Sequence, residues 1–338
     1  MSRFNEKLRA WFFLFRPWSY TATLIPFLLA AGGVVCLTRG SALPVQWAHW
    51  GLGLVAGLFF QSTVNLLNTW GDERSGVDNV PGAIRTTPQV HDGLVSLNAV
   101  LVVGLCCAAI ASLIGVGLCF YPWGGAWHFN KALLMAGFVG CLGSLNYSTG
   151  IKFKYRGLGV PFVSFLMGPL EIFVALSLLL PRDALGVLFP PLLAAFVLLT
   201  LPNAALVGVI MHGNDMRDIP SDKAAGIVTL ASWLGPRGAL AYYRICHILP
   251  YGVCLVLIAL FQGMSLCAGS FSFLSYAFFL PFLCLFLTIK TLRTATMVYR
   301  SCPENPPWRG LERNSGGILF VFGILYSLSF LVLGLSSR

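Results

Sequence analysis

Two short segments of the chain place oxygen-bearing side chains at intervals of one helical turn. In the first segment, Asn65, Asn68 and Asp72 are three and four residues apart. In the second segment, Asp218 and Asp222 are again four residues apart. Because residues three or four apart share one face of an α-helix, each segment presents its oxygens on one side if it is helical. Rows of amide and carboxylate oxygens of this kind can hold a divalent cation.

Each segment holds a further aspartate whose position depends on how the chain bends. Gly76 allows a sharp turn after the first row, which could bring Asp78 back toward it. Asp215 lies about one turn before Asp218 in the second segment. Because Pro220 follows closely, we expect the helix there to be kinked or only beginning.

The acidic residues are concentrated in these two segments. Seven of the 12 aspartates and glutamates lie in residues 65–92 and 212–230. Solvated loop residues would explain any one of these carboxylates alone, but not two clusters with the same spacing. Two facing carboxylate clusters suit Mg²⁺, which takes one or two carboxylates and completes its octahedron with water and substrate phosphate. The implied substrate is a diphosphate.

Basic residues near the two segments could neutralise the phosphate oxygens that the metal does not reach. The alternative interpretation is that they only mark the cytoplasmic face of a membrane protein. The candidate phosphate-binding residues are Arg85, Lys152, Lys154, Arg156, Arg217 and Lys223.

The composition places both segments in a membrane protein. Of 338 residues, 57% are apolar and only 10% are charged, which excludes an ordinary soluble enzyme with its charged fraction of ~25%. Apolar runs of about 20 residues, long enough to cross ~30 Å of hydrocarbon, recur along the chain. They predict an all-α, polytopic protein that forms a single domain over residues 1–338. The nine predicted spans are 18–38, 48–70, 94–120, 131–150, 158–180, 187–212, 240–262, 271–290 and 315–335.

The distribution of basic residues sets the expected orientation. A net charge of +10 could suit nucleic acid, but these charges follow the pattern of a protein in a lipid bilayer, and no nucleic acid partner is expected. If the spans alternate, 18 of the 22 lysines and arginines lie on the N-terminal side of the membrane. The positive-inside rule then places the N-terminus and both acidic segments in the cytoplasm and the C-terminus outside. No cleaved signal peptide is expected, because Arg16 and Pro17 interrupt the first apolar run.

With these motifs and spans, the chain resembles the UbiA superfamily of intramembrane prenyltransferases. In particular it resembles the menaquinone branch, the 1,4-dihydroxy-2-naphthoate polyprenyltransferases, over essentially its whole length. The branch motif N-D-x-x-D-x-x-x-G-x-D corresponds to Asn68 through Asp78, and N-N-x-R-D-x-x-x-D with G-x-x-T-L corresponds to Asn214 through Leu230. Further matches are Arg16-Pro17, Arg85, and Tyr155 through Gly159.

The resemblance implies a nine-helix, Mg²⁺-dependent enzyme that transfers a polyprenyl group from a polyprenyl diphosphate to an aromatic small molecule. It also implies the plasma membrane of a bacterium. The sequence departs from the branch at Thr69, Asp215 and Val160, where the branch commonly has Asp, Asn and an acidic residue, so the acceptor could differ. The implied ligands of Mg²⁺ and diphosphate are Asn68, Asp72, Asp78, Asp218 and Asp222, with Asn65 and Asn214 beside them.

The expected reaction is ionisation of the allylic C–O bond, followed by attack of an electron-rich ring on the carbocation. Asp72, Asp218 and Arg217 would act on the departing diphosphate by electrostatics. Tyr147 and Tyr155 could shield the cation with their ring faces, although an interfacial aromatic belt would explain them equally well. Another acceptor, such as a different quinone precursor, a tetrapyrrole or a non-aromatic compound, is the alternative within this class. A transporter is the alternative outside it, but transport sites usually lie near the bilayer midplane instead of at one face.

Three ionisable residues are predicted inside or next to the spans. Glu171 lies in the fifth span, where an ionisable group is costly and usually faces a functional cavity. It could act near the acceptor or in proton removal, or it could be a neutral, hydrogen-bonded structural residue. His212 could line the same cavity, whereas His247 is interpreted as a packing or hydrogen-bonding residue. The ten cysteines lie mostly inside the spans and are interpreted as small apolar packing residues.

Overall fold

The computed structural model describes residues 3–38, 45–75, 88–123, 126–148, 150–180, 193–224, 226–267 and 273–335. This part of the chain is largely helical, because a backbone in hydrocarbon must satisfy its hydrogen bonds internally. The α-helices are α1 (Arg3–Phe15), α2 (Thr21–Leu37), α3 (Trp47–Ser75), α4 (Pro88–His91), α5 (Leu97–Leu118), α6 (Lys131–Ser148), α7 (Gly159–Phe165), α8 (Glu171–Leu179), α9 (Leu193–Ala224), α10 (Leu230–Cys267), α11 (Leu285–Ser301) and α12 (Leu311–Leu335). Turns of 3-10 helix cover Pro17–Tyr20, Phe153–Tyr155 and Phe273–Cys284.

The predicted all-α architecture of about nine helices is confirmed. Eight helical segments in the described part of the chain are long and apolar enough to cross a membrane. The 18-residue α6 adds a further helix between α5 and α7. Several helices exceed their predicted bounds, because the apolar runs mark the hydrocarbon layer and the helices continue past it. The predicted span 187–212 corresponds to the helix Leu193–Ala224. The predicted span 240–262 lies in the part of α10 (Leu230–Cys267) that follows a break at Gly235, where φ is 67°.

One short β-hairpin accompanies the helices. Strands β1 (Phe120–Trp123) and β2 (Ala126–Phe129) pair antiparallel between α5 and α6. Phe120 pairs with Phe129, and their ring centroids are 4.9 Å apart. The hairpin belongs to a predicted connection, so it adds a local structure without changing the fold class.

The N-terminal helix α1 is separate from the first membrane span. Arg16 has a positive φ of 50°, which ends α1 before the 3-10 turn and α2. Ala10 and Leu14 of α1 are buried, whereas Phe4, Leu8 and Phe12 are exposed on the other side. This pattern is typical of an amphipathic helix lying along the membrane interface.

The spans pack through small residues and close-fitting apolar side chains. Close packing is expected because lipid is as apolar as the protein core, so the hydrophobic effect does not drive the helices together. Helix α12 lies against α2, and a side chain at Gly323 would collide with Ile25. Helix α3 lies against α5, with Gly104 beside Leu66 and Leu67. Five of the ten cysteines, Cys107, Cys119, Cys246, Cys254 and Cys284, are buried, which agrees with their interpretation as packing residues.

The fifth span is broken into three parts. Between α7 and α8 the residues Leu166–Leu170 form a π turn that contains Pro169. Pro169 lacks a backbone N–H, and wide turns of this kind are frequently found at functional sites. The amide of Asn203 on α9 donates to the carbonyl of Met167 at 2.8 Å. This hydrogen bond fixes the turn immediately before Glu171.

Candidate active site

Helix α3 carries the first acidic segment past the apolar layer to Ser75. Asn65, Asn68 and Asp72 therefore share one face, and all three line the same cavity. Asn65 is buried, and its amide donates to the Phe15 carbonyl and to Ser19 Oγ at 2.8 Å each. Asn65 thus fixes the N-terminal turn against α3.

Asp72 receives three hydrogen bonds from one loop. Lys154 Nζ donates to the two carboxylate oxygens at 3.0 and 2.9 Å, and the Tyr155 hydroxyl donates to Oδ1 at 2.6 Å. Burial lowers the pKa of Lys154, but the charge of Asp72 and the nearby tyrosine oxygens outweigh it and raise the pKa above its ordinary value. The Lys154 ammonium is therefore charged at neutral pH.

The geometry of residues 150–158 explains how Lys154 and Tyr155 reach Asp72. The chain turns sharply at Gly150, Lys152 and Gly157, which all have positive φ values. Between these points the 3-10 turn Phe153–Tyr155 places two adjacent side chains toward the cavity. Tyr147, at the end of α6, is buried and lines the cavity beside them.

The second acidic segment is helical, because α9 continues through Pro220 to Ala224. Of the two alternatives expected at Pro220, a helix that only begins there is therefore wrong, and a kink there stays a prediction. Arg217 binds Asp218 through two hydrogen bonds, Nε to Oδ1 at 2.7 Å and Nη2 to Oδ2 at 2.6 Å. Asp222 accepts a hydrogen bond from Thr229 at 3.2 Å.

The two segments face each other across one cavity of about 1300 Å³. Lys154, bonded to Asp72, is also within electrostatic reach of Asp215 and Asp222. One ammonium group therefore interacts with carboxylates from both segments. The carboxylates at this polar end of the cavity are Asp72, Asp215, Asp218, Asp222 and Glu312.

Below its polar end the cavity is apolar. Its walls are formed largely by α3, α6, α9 and the fifth span. Glu171 is the one carboxylate among these deeper walls in the described part of the chain. The apolar lining includes Phe27, Phe60, Val64, Leu133, Phe138, Leu166, Met167, Leu170, Val174, Leu178, Val207 and Ile210. A cavity of this shape accommodates a ligand with a charged head and a long hydrocarbon tail.

The predicted site residues fall into three groups. Asn65, Asn68, Asp72, Tyr147, Lys154, Tyr155, Glu171, Asn214, Arg217, Asp218 and Asp222 all line the cavity. Lys152, Arg156 and Lys223 are exposed and do not line it. Asp78 and Arg85 lie outside the described residues, so their roles stay predictions.

Arg156 contributes through its backbone. It forms an isolated parallel bridge with Val228, the residue before Thr229. The loop that carries Lys154 and Tyr155 is therefore joined to the loop that follows the second acidic segment.

Glu312 is a site residue that the sequence did not indicate. It lies in the first turn of α12, and its Oε1 is 3.5 Å from Arg217 Nη1. Gly213 permits this contact, because a side chain there would lie 2.9 Å from the Glu312 backbone nitrogen. Glu312 Oε2 is buried and has no hydrogen-bond partner among the described residues. Since Glu312 is on a different helix from Arg217, no local spacing could have identified it.

The departures from the branch pattern occupy different environments. Thr69 is buried away from the cavity, where it donates to the Asn65 carbonyl and accepts from Arg16 Nη2 at 3.3 Å. Asp215 does line the cavity, whereas Val160 is buried without lining it. Asp215 therefore adds a carboxyl group to the site, and a carboxylate at 69 would face Arg16.

The two histidines are structural. His212 is fully buried and does not line the cavity, contrary to the prediction, because its Nε2 donates to the Ala239 carbonyl at 2.9 Å. His247 Nδ1 donates to the Tyr243 carbonyl at 2.8 Å, and its Nε2 accepts from Ser315 at 3.3 Å. The hydrogen-bonding interpretation of His247 is therefore correct.

The donor set at the polar end fits a hard divalent cation, because carboxylate oxygens are the ligands that Mg²⁺ prefers. Among the described residues, no three His, Cys, Asp or Glu side chains form a ready-made metal site. The carboxylates instead line opposite walls, and a cation between them would complete its coordination with water or phosphate.

Comparison with known proteins places this chain in a family. Residues 11–304 match the UbiA prenyltransferase family, so the chain belongs to that family and is a prenyltransferase. It is 31% identical over 248 residues to the UbiA prenyltransferase domain-containing protein 1 of Xenopus tropicalis, which covers 73% of this chain and 66% of the frog protein. The chain thus spans about two thirds of that relative's length.

Two solved structures share the fold. The apo UbiA homolog from Aeropyrum pernix K1 has a TM-score of 0.63 at 16% identity and covers 93% of this chain and 98% of its own. The UbiA homolog from Archaeoglobus fulgidus bound to GPP and Mg²⁺ has a TM-score of 0.57 at 15% identity, with 95% and 99% coverage. Neither these structures nor the relative's name refers to the menaquinone branch, so the matches establish the family and not the branch.

Proposed function

We propose that this protein transfers a polyprenyl group from a polyprenyl diphosphate to an aromatic acceptor in a Mg²⁺-dependent reaction, with 1,4-dihydroxy-2-naphthoate as the acceptor. The observation that carries the proposal is one cavity whose described lining has five carboxyl groups with Lys154 and Arg217 at one end and apolar walls below. The Archaeoglobus fulgidus homolog, with the same fold, is bound to GPP and Mg²⁺.

Asp72, Asp218 and Asp222 would hold the cation, with Asn68 beside Asp72. Asp78 is proposed as a further ligand from its sequence position alone. The bound cation supplies positive charge that stabilises the departing diphosphate. Asn68, Asp72, Asp218 and Asp222 line the cavity and carry hard oxygen atoms, which is the donor type that Mg²⁺ prefers.

Lys154 and Arg217 would bind the diphosphate oxygens. Both are at the polar end of the cavity, and each is already paired with a carboxylate, Lys154 with Asp72 and Arg217 with Asp218. A bound diphosphate would accept hydrogen bonds from Lys154 and Arg217, and the metal would bind the carboxylates of Asp72 and Asp218. Arg85, Lys152, Arg156 and Lys223 are proposed as outer phosphate contacts on the strength of their sequence positions.

The chain's own groups would then stabilise charge and exclude water as the allylic C–O bond breaks and the new C–C bond forms. Tyr147 and Tyr155 line the polar end, where the allylic cation would develop and where an aromatic ring could stabilise it. The apolar walls would keep water away from that cation. With a 2-carboxylated naphthoate ring, loss of the carboxyl group as CO₂ restores aromaticity.

We infer that the polar end faces the cytoplasm and that the protein resides in the plasma membrane of a bacterium. Arg16, both acidic segments and the Lys154 loop meet at one end of the bundle. That end is the one at which alternating spans accumulate 18 of the 22 basic residues. The positive-inside rule then assigns the N-terminus to the cytoplasm and the C-terminus to the outside.

The test uses purified protein in detergent with Mg²⁺, a polyprenyl diphosphate and 1,4-dihydroxy-2-naphthoate, with products identified by mass spectrometry. We expect prenylated, decarboxylated naphthoquinol, which EDTA abolishes and Asp218→Asn reduces at least ~100-fold. Asp92→Asn is the matched control, because Asp92 is exposed and does not line the cavity.

Two results would change the proposal. Diphosphate release with a different acceptor would keep the donor and cation sites while reassigning the acceptor. If Asp218→Asn and Asp92→Asn behaved alike, the second acidic segment would have no part in the reaction.

A further inference from the structure

The carboxyl group of Glu171 lies deep in the cavity, within the membrane. Glu171 begins α8 immediately after the π turn, and it lines the cavity with Leu170 and Val174. Its side chain hydrogen-bonds Thr23 on α2, which is itself 1% exposed. On α3 a side chain at Gly57 would lie 3.8 Å from Glu171 Oε1. Helices α2, α3 and α8 therefore converge at this carboxyl group.

The distance from Glu171 to the acidic segments follows from helix geometry. Gly57 and Asp72 are both on the continuous helix α3, and at 1.5 Å per residue they are separated by about 22 Å along its axis. The fifth span gives a similar distance. Gly159 directly follows the loop that contacts Asp72, and Glu171 is twelve residues further along the chain. Twelve residues of helix are about 18 Å long. Glu171 is thus near the middle of the bilayer, while the carboxylates of the polar end are at its surface.

At that depth Glu171 is too far from the diphosphate to contact the reacting carbon. The cation and diphosphate take up roughly the first 6 Å, since Mg–O bonds alone are about 2.1 Å long. The remaining ~15 Å corresponds to about a dozen carbon–carbon bonds in an extended chain, or about three isoprenoid units. The group that meets Glu171 is therefore the prenyl tail and not the aromatic acceptor.

We propose that Glu171, held by Thr23, determines which prenyl tail lengths the enzyme accepts. This inference rests on the proposed function, because it needs a diphosphate anchored at the polar end. Tails of up to about three isoprenoid units end before the carboxyl group, whereas longer tails have to lie against it. Covering the carboxyl group of Glu171 with hydrocarbon costs free energy, since a prenyl tail offers this polar group no hydrogen bond. No room opens at Gly57 itself, because a side chain there would lie 2.9 Å from Thr23 Cγ2 and 3.5 Å from the Phe27 ring.

The test compares Glu171→Leu with Glu171→Gln on donors of two, three and four isoprenoid units. Glu171→Leu removes the polar group at similar volume, so the ratio of kcat/KM for the four-unit over the two-unit donor is expected to rise about tenfold. Glu171→Gln keeps a polar, hydrogen-bonding side chain, so its ratio is expected to stay within about twofold of the wild-type ratio. Thr23→Val is expected to shift the ratio in the same direction as Glu171→Leu, by a smaller factor.

A binding measurement separates this inference from the proposed function. Dissociation constants of the matching prenyl thiodiphosphates, which do not ionise readily, are measured with Mg²⁺ for the wild type and both variants, after each elutes as a single species in detergent. Failure of the wild type to bind any donor would overturn the proposed function. Binding with a tail-length preference that Glu171→Leu leaves unchanged would overturn the inference alone. A change in the acceptor KM, without a change in donor preference, would also overturn it and would place the acceptor at Glu171.

Discussion

Asp72 is held by side chains that follow it by 82 and 83 residues in the sequence. The Tyr155 hydroxyl is 2.6 Å from Asp72 Oδ1, which is a short bond to a charged acceptor. Because partners that orient a metal ligand influence metal affinity 10–100-fold, we expect Tyr155→Phe to raise the Mg²⁺ concentration for half-maximal rate by about tenfold. Initial rates across a Mg²⁺ titration measure this effect.

Tyr20→Phe is the control for that substitution. It also removes one hydroxyl, but Tyr20 bonds Ser62 at 2.8 Å and does not line the cavity. The two variants should therefore differ in their Mg²⁺ dependence. Identical titrations would mean that the Tyr155 hydroxyl has no influence on the cation.

Glu312 forms an ion pair with Arg217 and positions its guanidinium group. Arg217 is held between Asp218 and Glu312, and without Glu312 its guanidinium retains one of two anionic partners. We expect Glu312→Gln to lower kcat/KM for the donor about tenfold, mostly through a higher donor KM, because a misplaced guanidinium binds phosphate less well. Steady-state kinetics at saturating acceptor provide the measurement.

Glu304→Gln supplies the comparison, since Glu304 is exposed in the connection before α12. An unchanged donor KM in Glu312→Gln would remove Glu312 from the site.

Local spacing in the sequence could pair some of the site residues and not others. The sequence predicted two pairs, Asn68 with Asp72 and Asp218 with Asp222. It could do so because residues four apart lie on the same face of any α-helix. The contacts of Asp72 with Lys154, and of Arg217 with Glu312, join distant parts of the chain, so spacing alone did not pair them. His212 was misplaced for the same reason, because its partner is a backbone carbonyl on another helix.

At the scale of elements, the loop 150–158 connects the two halves of the site. Gly157 has a φ of 75°, a conformation that an L side chain adopts at a cost of roughly 1–2 kcal/mol. We therefore expect Gly157→Ala to lower the apparent melting temperature in detergent and to reduce donor turnover, since the same loop carries Lys154 and Tyr155.

Gly252→Ala is the matched substitution with the opposite expected sign. Gly252 lies within α10 with open space around it, so alanine improves helix propensity there by ~1 kcal/mol. Thermal unfolding of both variants checks the pair. A melting temperature for Gly157→Ala at or above the wild-type value would contradict the strained geometry of this loop.

Helical elements were predicted more accurately than their ends. The apolar runs located the spans, because hydrocarbon thickness dictates a length of about 20 residues. They could not indicate that α3 and α9 continue beyond the hydrocarbon to Ser75 and Ala224, since those extensions are polar. The π turn before Glu171 was also not predicted, because Pro169 alone is compatible with a kink, a break or a wide turn.

At the scale of the whole molecule, the proposed orientation can be tested with two native cysteines. Cys267, at the end of α10, and Cys302, after α11, are both exposed and lie at opposite ends of the helical segment Phe273–Ser301. In sealed, right-side-out membrane vesicles we expect an impermeant maleimide to label Cys267 and to leave Cys302 unlabelled until detergent is added. Cys267→Ser and Cys302→Ser identify each signal, and the reverse pattern would invert the orientation.

The pairing of opposite charges at the mouth of the cavity has a consequence for the order of arrival. Among the described residues, that end is lined by five side chains with carboxyl groups and by four cationic side chains, Arg16, Lys154, Arg217 and Arg313. A bare diphosphate therefore meets no net positive potential, since Lys154 and Arg217 already have anionic partners. The attraction arises only when the donor brings its own counter-ion, so donor and cation are expected to enter as one complex.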